Sequence, residues 1–452
     1  MKSNIVFLTI DSLRGDKCFG KAKSSKTLNL DKLINEGIYF SQAISSSDQT
    51  GTSLASIFTG KLPIKTGLTQ ITFSSKVKTF FDILKNNEYK IRSFVPDTPF
   101  FIDLVSKSDE SIHYTFEKKD EWKRLDQGLG EQLIEFINKE NSKNPWFTYI
   151  HLMDIRPPFV VPEGFESDEY GKTRYDQLLS SMDFWIGEIV KKINFENTFL
   201  VISSDHGEYI PVTGENISEI PNVQKAIRKG TKGIPFLEKV GLKAVLNLRF
   251  AAQTYKKEVL KRTLTPYEMR SFNTRAGIEL YDELIKVPLL FIGKNINSKK
   301  NITDLVRHVD ILPTILDIAE IENNEVTDGR SLKPLFKGKE IEEVPAYIEV
   351  GINLAQIIDN KEKAGLPKVF GIRTSNYKYI RFREDNTKNL KLFDLKNDPD
   401  EKTNVAESKP DIVKEMEIIL QEIIKSSKAP DRKMSKEEIE KAKDVLSNLG
   451  YL

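Results

Sequence analysis

Four short, mostly apolar runs, Ile5–Ile10, Trp146–Ile150, Thr198–Ser203 and Pro288–Ile292, set what this chain can fold into. Each is strand-sized, and none alternates polar with apolar residues as a strand with one wet face would. Strands apolar on both faces must be covered on both faces. Between them the sequence takes a helical period, as in Tyr175–Ile193, where Leu178, Met182, Ile186 and Ile189 predict a core-facing stripe. The combination implies an α/β fold with a mostly parallel central sheet flanked by helices.

At 452 residues the chain can bury one large core and carry a satellite. After about residue 340, the segments Ala346–Val350, Val369–Phe382 and Lys391–Leu395 alternate, and turn-rich Asn397–Asp400 follows. They predict a smaller C-terminal antiparallel subdomain. A capping box at Ser435–Glu438, the apolar pattern Ile439–Leu449 and Gly450 predict a terminal helix. The expected divisions are a core domain over 1–340 with an insertion at 211–275, an α+β subdomain over 341–427 and a helical tail over 428–452.

The net charge of +2 hides an uneven distribution. Residues 221–270 carry twelve Lys/Arg against three Glu, a net +9, which leaves −7 for the remainder. Such a stretch could act as a lid over an anionic substrate, as a surface for acidic membrane or glycan, or as a solvated basic hairpin. It lacks the interleaved aromatics of a stacking surface, so nucleic acid is not expected. Cys18 is the one cysteine and cannot form an internal disulfide. With no signal-peptide pattern and no apolar run near the roughly 18 residues of a spanning helix, a cytoplasmic, non-membrane protein is expected.

Open α/β sheets bind ligands beyond the carboxyl ends of their strands. Asp11, the His151–Asp154 turn and Asp205-His206 follow three of the four runs directly. Two carboxylates and an imidazole there could hold one divalent cation, or could serve only as turn and cap residues. A polar loop, Ser45–Ser53, leads into a short predicted helix, Leu54–Thr59, ended by Gly60. A hydroxyl at a helix N-terminus, Thr50 or Thr52, would feel the dipole and unpaired amides that favour an anion. The plainer reading of either threonine is an N-cap.

The segments NIVFLTIDSLRGD (4–16), TLNLDKLINEGIYF (27–40), TGTSLASIFTGKLPIKTG (50–67), SSDHGE (203–208), LYDELIKVPL (280–289), VDILPT (309–314), DGRSLKPL (328–335) and Leu449-Gly-Tyr-Leu452 add a resemblance. Taken in order, they resemble the landmarks of the sulfatase family of the alkaline phosphatase superfamily. The resemblance implies an alkaline phosphatase-like fold and one divalent metal ion, of Mg, Ca, Mn or Zn. Asp11, Asp205 and His206 match metal-ligand positions, and Thr50 takes the nucleophile position and is expected to be a metal ligand as well. Ser12 stands where many sulfatases have a second metal-binding aspartate, so a neutral ligand or a water is expected there.

Three departures shape the implied chemistry. Sulfatases carry Cys-x-Pro-x-Arg at the nucleophile and oxidise its first residue to formylglycine. This chain reads Thr50-Gly-Thr-Ser-Leu54, so formylglycine is not expected. Threonine resembles the phosphodiesterase, phosphonate and phosphoryl-transferase relatives, in which a metal-activated hydroxyl attacks directly. Arg156 replaces the histidine of Asp-x-His-x-Pro. Arg156 and Arg275 are expected to bind the substrate anion, and His151 to act as the acid that arginine cannot be. Two-metal relatives need a histidine four residues after Asp154, where this chain has Pro158. His113 and His308 are expected to be structural and Asp310 to cap the helix Ile311–Ile318.

The expected activity is metal-dependent hydrolysis or transfer of a phosphate, phosphonate or sulfate ester on a small anionic ester, glycan or lipid headgroup. A sulfuric ester hydrolase proper is the close alternative. Leu54 and Arg156 leave open a non-catalytic binder of anionic glycan or lipid.

Overall fold

The first apolar run forms β1 (Asn4–Ile10) inside an eight-stranded sheet. The computed structural model describes residues 2–118, 121–122, 124–139, 145–157, 159–211, 258–273, 275, 277–323, 325–351 and 369–427. In chain order the next strands are β2 (Ile38–Ile44), β3 (Lys90–Pro96) and β4 (Glu110–Tyr114). A small ribbon, β5 (Phe116–Lys118) with β6 (Glu121–Trp122), intervenes. Then come β7 (Trp146–Leu152), β8 (Thr198–Ser203), β9 (Lys286–Gly293) and β10 (Lys300–Arg307). The sheet order is β10-β2-β9-β8-β1-β7-β3-β4.

Five of its seven pairings are parallel, and only β9 runs against its neighbours β8 and β2. Because β1 is parallel to both β7 and β8, with Ile10 opposite Leu152 and Thr9 opposite Ser203, the ends of all three strands open at one edge. That register brings Asp11, His151 and Asp205 together.

Helix Thr50–Thr59 begins four residues before the predicted start and ends at Gly60 in the left-handed region. Leu54, Ile57 and Phe58 are buried. The Phe58 ring stacks on Phe81 at 5.2 Å and meets Tyr149 edge-on at 4.9 Å. These contacts anchor the helix on the sheet, so the place of Thr50 is fixed by core packing. The predicted stripe Leu178, Met182, Ile186 and Ile189 lies buried on helix Arg174–Val190, capped by the Thr173 hydroxyl, which accepts the Asp176 amide at 3.1 Å. From the same helix, the buried Asp183 accepts the amides of Asn29 and Leu30 at 2.9 and 2.7 Å. It thereby satisfies the free N–H groups at the start of helix Leu28–Glu36.

β11 (Ala346–Glu349), β12 (Val369–Arg373), β13 (Tyr377–Phe382) and β14 (Lys391–Asp394) form the separate antiparallel sheet expected near the C-terminus. Helix Pro410–Ser426 covers it, burying Met416 and Leu420 and pairing Glu417 with Arg381 at 2.8 Å. The small sheet also braces the loop before Thr50. The Glu349 amide donates to the Ser46 carbonyl at 3.1 Å, and the Gly351 amide to Asp48 Oδ1 at 2.6 Å.

Met1–Glu208 with Arg275–Leu452 form one compact unit, and Tyr209–Thr274 a second. In the second, the turn Pro266–Met269 is closed by a Thr265–Glu268 capping box, and the Arg270 guanidinium lies 4.2 Å from the Tyr267 ring centre. Most of the basic insertion, Pro158 and the tail with its Ser435 capping box lie outside the described residues. Among the described residues, no helix is long and apolar enough to cross a membrane.

Candidate active site

Asp11 leaves β1 fully buried, its amide donating to the Leu152 carbonyl at 2.8 Å. Ser12 then turns the chain with φ of 67°, a left-handed conformation that costs a non-glycine residue about 1–2 kcal/mol. Three hydrogen bonds hold it there. Its amide donates to Asp205 Oδ1 at 3.2 Å, its hydroxyl to Asp11 Oδ1 at 2.7 Å, and its carbonyl accepts from the Tyr175 hydroxyl at 2.8 Å. The Ser204 hydroxyl accepts the Leu13 amide at 2.9 Å and donates to the His206 carbonyl at 2.6 Å. The loops after β1 and β8 are thus locked through backbone groups.

Asp205 Oδ1 also accepts the His206 amide at 3.0 Å. Its Oδ2 is buried with no hydrogen-bond partner and stands 3.3 Å from His206 Nε2. The His206 Nδ1 lies 2.8 Å from the Gly207 carbonyl, which selects the tautomer with the proton on Nδ1 and the Nε2 lone pair turned to the carboxylates. Gly207 is required by close approach: its amide donates to Leu284 O at 2.7 Å, and a Cβ there would lie 2.0 Å from the Glu283 carbonyl oxygen.

Thr50 is the first residue of its helix and half-buried. Its Oγ1 lies 3.3 Å from Asp11 Oδ2 and 3.2 Å from His206 Nε2. Thr52, the other candidate hydroxyl, is buried inside the helix. The structure therefore brings Thr50 to the carboxylates. Gly51 allows this, because a Cβ at that position would come within 2.4 Å of the Gln70 amide nitrogen.

Both arginines reach the site. Arg156 Nη1 is 3.8 Å from Asp11 Oδ2, and Arg275 Nη1 is 2.5 Å from His206 Nε2 while its Nε pairs with Glu208 at 3.2 Å. Their side chains keep 28% and 19% exposure, whereas Asp11, Asp205, His206 and His151 are closed to solvent, so the guanidinium groups mark the open side. Burial alone would raise the Asp11 carboxyl, but the Arg156 guanidinium, with His151 and His206, holds it well below its usual range.

His151 lies within β7, which runs to Leu152, and so stands in a strand where the sequence placed a turn. Its Nδ1 faces the Tyr149 hydroxyl at 3.2 Å, its ring packs 4.5 Å from the Phe101 ring, and its Nε2 is 3.7 Å from Asp11 Oδ2. Ligand atoms of Asp11, His151 and Asp205 all lie within 4.8 Å of one another, so the arrangement could hold a metal ion. The orphaned, buried Asp205 Oδ2 and His151 Nε2 are the donors such an ion would satisfy.

Arg14, which no local pattern singles out, supports the site, donating to Asp16 at 2.9 and 2.8 Å and to the Glu208 carbonyl at 3.2 Å. It lies in the segment 4–16, just after β1, but its partner at Glu208 is distant in sequence. Burial pushes His308 down to about 3, which keeps it neutral, and His113 Nε2 hydrogen-bonds Ser111 at 3.0 Å on β4. Asp310 departs from expectation. Its carboxylate makes no cap bond to the helix Ile311–Ile318 and instead accepts Arg307 N at 2.8 Å, Arg307 Nη2 at 2.7 Å and Arg330 N at 3.0 Å.

Asp154 is turned to a structural task, its Oδ1 accepting the Leu125 amide at 2.8 Å. Burial, aided by Asp126 and opposed by the Leu125 amide, raises it from 3.8 to about 7. The folded state thus keeps a proton that the unfolded chain releases near 3.8, and the resulting stability is lost as pH rises through 7. Asp154→Asn keeps an acceptor for Leu125 without the charge. Thermal unfolding should show the variant a few kcal/mol more stable than wild type at pH 8, with the gap narrowing to about 1–2 kcal/mol at pH 5 and closing only below about pH 4. A gap of equal size at both pH values would contradict this.

Residues 3–321 match the Sulfatase family model, and residues 268–427 match the model for the C-terminal part of N-sulphoglucosamine sulphohydrolase. Arylsulfatase K of Gallus gallus is 33% identical over 148 residues, which span 32% of this chain and 27% of that protein. Arylsulfatase K of Xenopus laevis is 23% identical over 463 residues, spanning 94% of this chain and 82% of that protein. A protein solved in complex with its substrate D-glucosamine-2-N,6-O-disulfate superposes with a TM-score of 0.67 at 16% identity, covering 96% of this chain and 100% of that one. The phosphonate monoester hydrolase of Agrobacterium radiobacter gives 0.66 at 15% identity, covering 93% and 95%. With the Sulfatase family model matched over residues 3–321, this protein belongs to the sulfatase family of the alkaline phosphatase superfamily, a family of ester hydrolases.

Proposed function

We propose that the chain hydrolyses an anionic ester, of sulfate, phosphate or phosphonate, carried on a glycan, with Thr50 as the nucleophile. The observation that carries this is the Thr50 hydroxyl, half-buried at a helix N-terminus and within 3.3 Å of both Asp11 and His206. A divalent cation would be held by Asp11, Asp205 and His206 and would supply positive charge that lowers the pKa of a neighbouring hydroxyl. As Thr50 Oγ attacks sulfur or phosphorus its proton passes to water, a new O–S or O–P bond forms, the ester bond to the sugar oxygen breaks, and that oxygen takes a proton from water. Water, or an acceptor alcohol, then attacks the same sulfur or phosphorus, expelling Thr50 Oγ, which regains a proton, and releasing the inorganic anion or the new ester. Arg156 and Arg275, on the open side, bind the oxygens whose charge grows during attack. The helix N-terminus adds its dipole to the same end.

A relative-like protein solved with a disulfated glucosamine and the net +9 of residues 221–270 both favour an anionic glycan. The likeness to a phosphonate monoester hydrolase keeps phosphorus esters in view. A metal-supplemented screen of p-nitrophenyl sulfate, phosphate, phosphonate and phosphodiester, together with sulfated and phosphorylated monosaccharides, decides among them. Turnover of at least one, lost on chelation, is the expected result. Retention of sulfated glycan with no turnover of any ester would instead make the chain a binder.

A further inference from the structure

Ser12 offers the site no free donor atom, because its hydroxyl is already engaged, donating to Asp11 Oδ1 at 2.7 Å. The imidazole of His151 comes from the neighbouring strand and has no outlet to solvent. Its Nε2 lacks a hydrogen-bond partner and lies 3.7 Å from Asp11 Oδ2. Asp205 Oδ2 is a second buried orphan, and the ligand atoms of Asp11, His151 and Asp205 lie within 4.8 Å of one another. A native interior rarely leaves such atoms unpaired. Two orphans and a carboxylate converging on one volume call for a common partner that is electron-poor.

The Tyr149 hydroxyl, 3.2 Å from Nδ1, fits the role of acceptor for an Nδ1 proton, leaving the Nε2 lone pair on the carboxylate side. Ring-nitrogen hydrogen bonds of this kind fix the tautomer of metal-binding histidines. Phe101 packs on the ring and holds its plane. His206 is oriented the same way by the Gly207 carbonyl.

We propose that His151 Nε2 is a ligand of the site's cation, and that the site selects a nitrogen-preferring cation such as Zn over Mg or Ca. The inference rests on the reading of Asp11, Asp205 and His206 as cation ligands. Mg and Ca take oxygen donors, whereas imidazole nitrogen suits Zn and its neighbours. Two imidazoles beside two carboxylates form a mixed nitrogen–oxygen set. His151 is then committed to the cation and cannot also protonate a leaving group.

The test uses the full chain, stripped by chelator and titrated calorimetrically with Zn, Mn, Mg and Ca chlorides. Wild type should bind one Zn at least about 100-fold more tightly than Mg or Ca, and His151→Ala should lose about 10- to 100-fold for Zn, with little change for Mg. Should His151→Ala fail to fold, pulsed electron paramagnetic resonance on Cu-loaded wild type counts the coupled imidazoles. Two support the proposal and one overturns it. Wild-type Zn affinity in a folded His151→Ala protein, or a preference for Mg or Ca, would also overturn it. If instead no cation binds, or Asp205→Asn leaves binding intact, the underlying site assignment fails as well.

Discussion

Thr50→Ala should lose turnover by at least about three orders of magnitude, while the protein stays folded and keeps its cation-binding affinity. A covalent nucleophile has no substitute in its mechanism, so its removal typically costs that much in kcat. The fold does not depend on the hydroxyl. Thr50 is half-buried at the first helical position, and the helix is held by Leu54, Ile57 and Phe58 against the sheet. Truncating a first-turn side chain there should cost about 1 kcal/mol or less. Thr50→Ser should retain partial activity, because the hydroxyl remains but the methyl that restricts its rotamer is gone. Steady-state rates on the best ester, beside calorimetric metal titration, separate the two effects. A Thr50→Ala protein with near wild-type turnover would remove Thr50 from the mechanism.

Asp205→Asn should act differently, losing cation binding and turnover together. The amide oxygen can keep the place of Oδ1, accepting the Ser12 and His206 amides now at 3.2 and 3.0 Å. The other position becomes an uncharged NH2 aimed at the cation volume. Since even outer partners of metal ligands are worth about 10- to 100-fold in affinity, loss of a ligand should exceed about 100-fold. The metal-free protein should not be destabilised, because the change removes a buried carboxylate oxygen that lacks a hydrogen-bond partner. Metal titration and thermal unfolding with chelator read both outcomes. Unchanged affinity would place the cation elsewhere.

The strands at the centre of the sheet were legible in the sequence because burial on both faces leaves an unmistakable apolar run. The direction of β9 was not. A buried strand has the same period whichever way it runs, and only its pairing with β8 and β2 shows the reversal. Helix Thr50–Thr59 starts earlier than expected because its first residues are Thr, Gly, Thr and Ser, types that usually favour caps and loops. Core packing at Leu54 and Phe58 overrides that preference. Asp310 looked like a cap from its position before Ile311, but Arg307 and Arg330 compete for its carboxylate.

Within the site, the residues that follow β1 and β8 could be placed beside one another from strand ends alone. Those reached only by folding could not. The bracing of the Thr50 loop by Gly351 joins residues about 300 positions apart, and Arg14 meets Glu208 across 194. No local pattern marks such pairs. His151 illustrates the intermediate case: its presence near the site was readable, but its enclosure within β7 and its approach to Asp11 depend on strand register.

Trapping the covalent enzyme tests the account most directly. Wild-type and Thr50→Ser proteins are mixed with the best ester, quenched in acid within the first turnovers, digested and analysed by mass spectrometry. The account predicts a sulfuryl or phosphoryl group on the peptide containing Thr50, in both proteins and absent from Thr50→Ala, with threonine itself unmodified before substrate is added. An active enzyme whose Thr50 peptide stays unmodified throughout, or a formylglycine elsewhere in the Ser45–Ser53 loop, would contradict it.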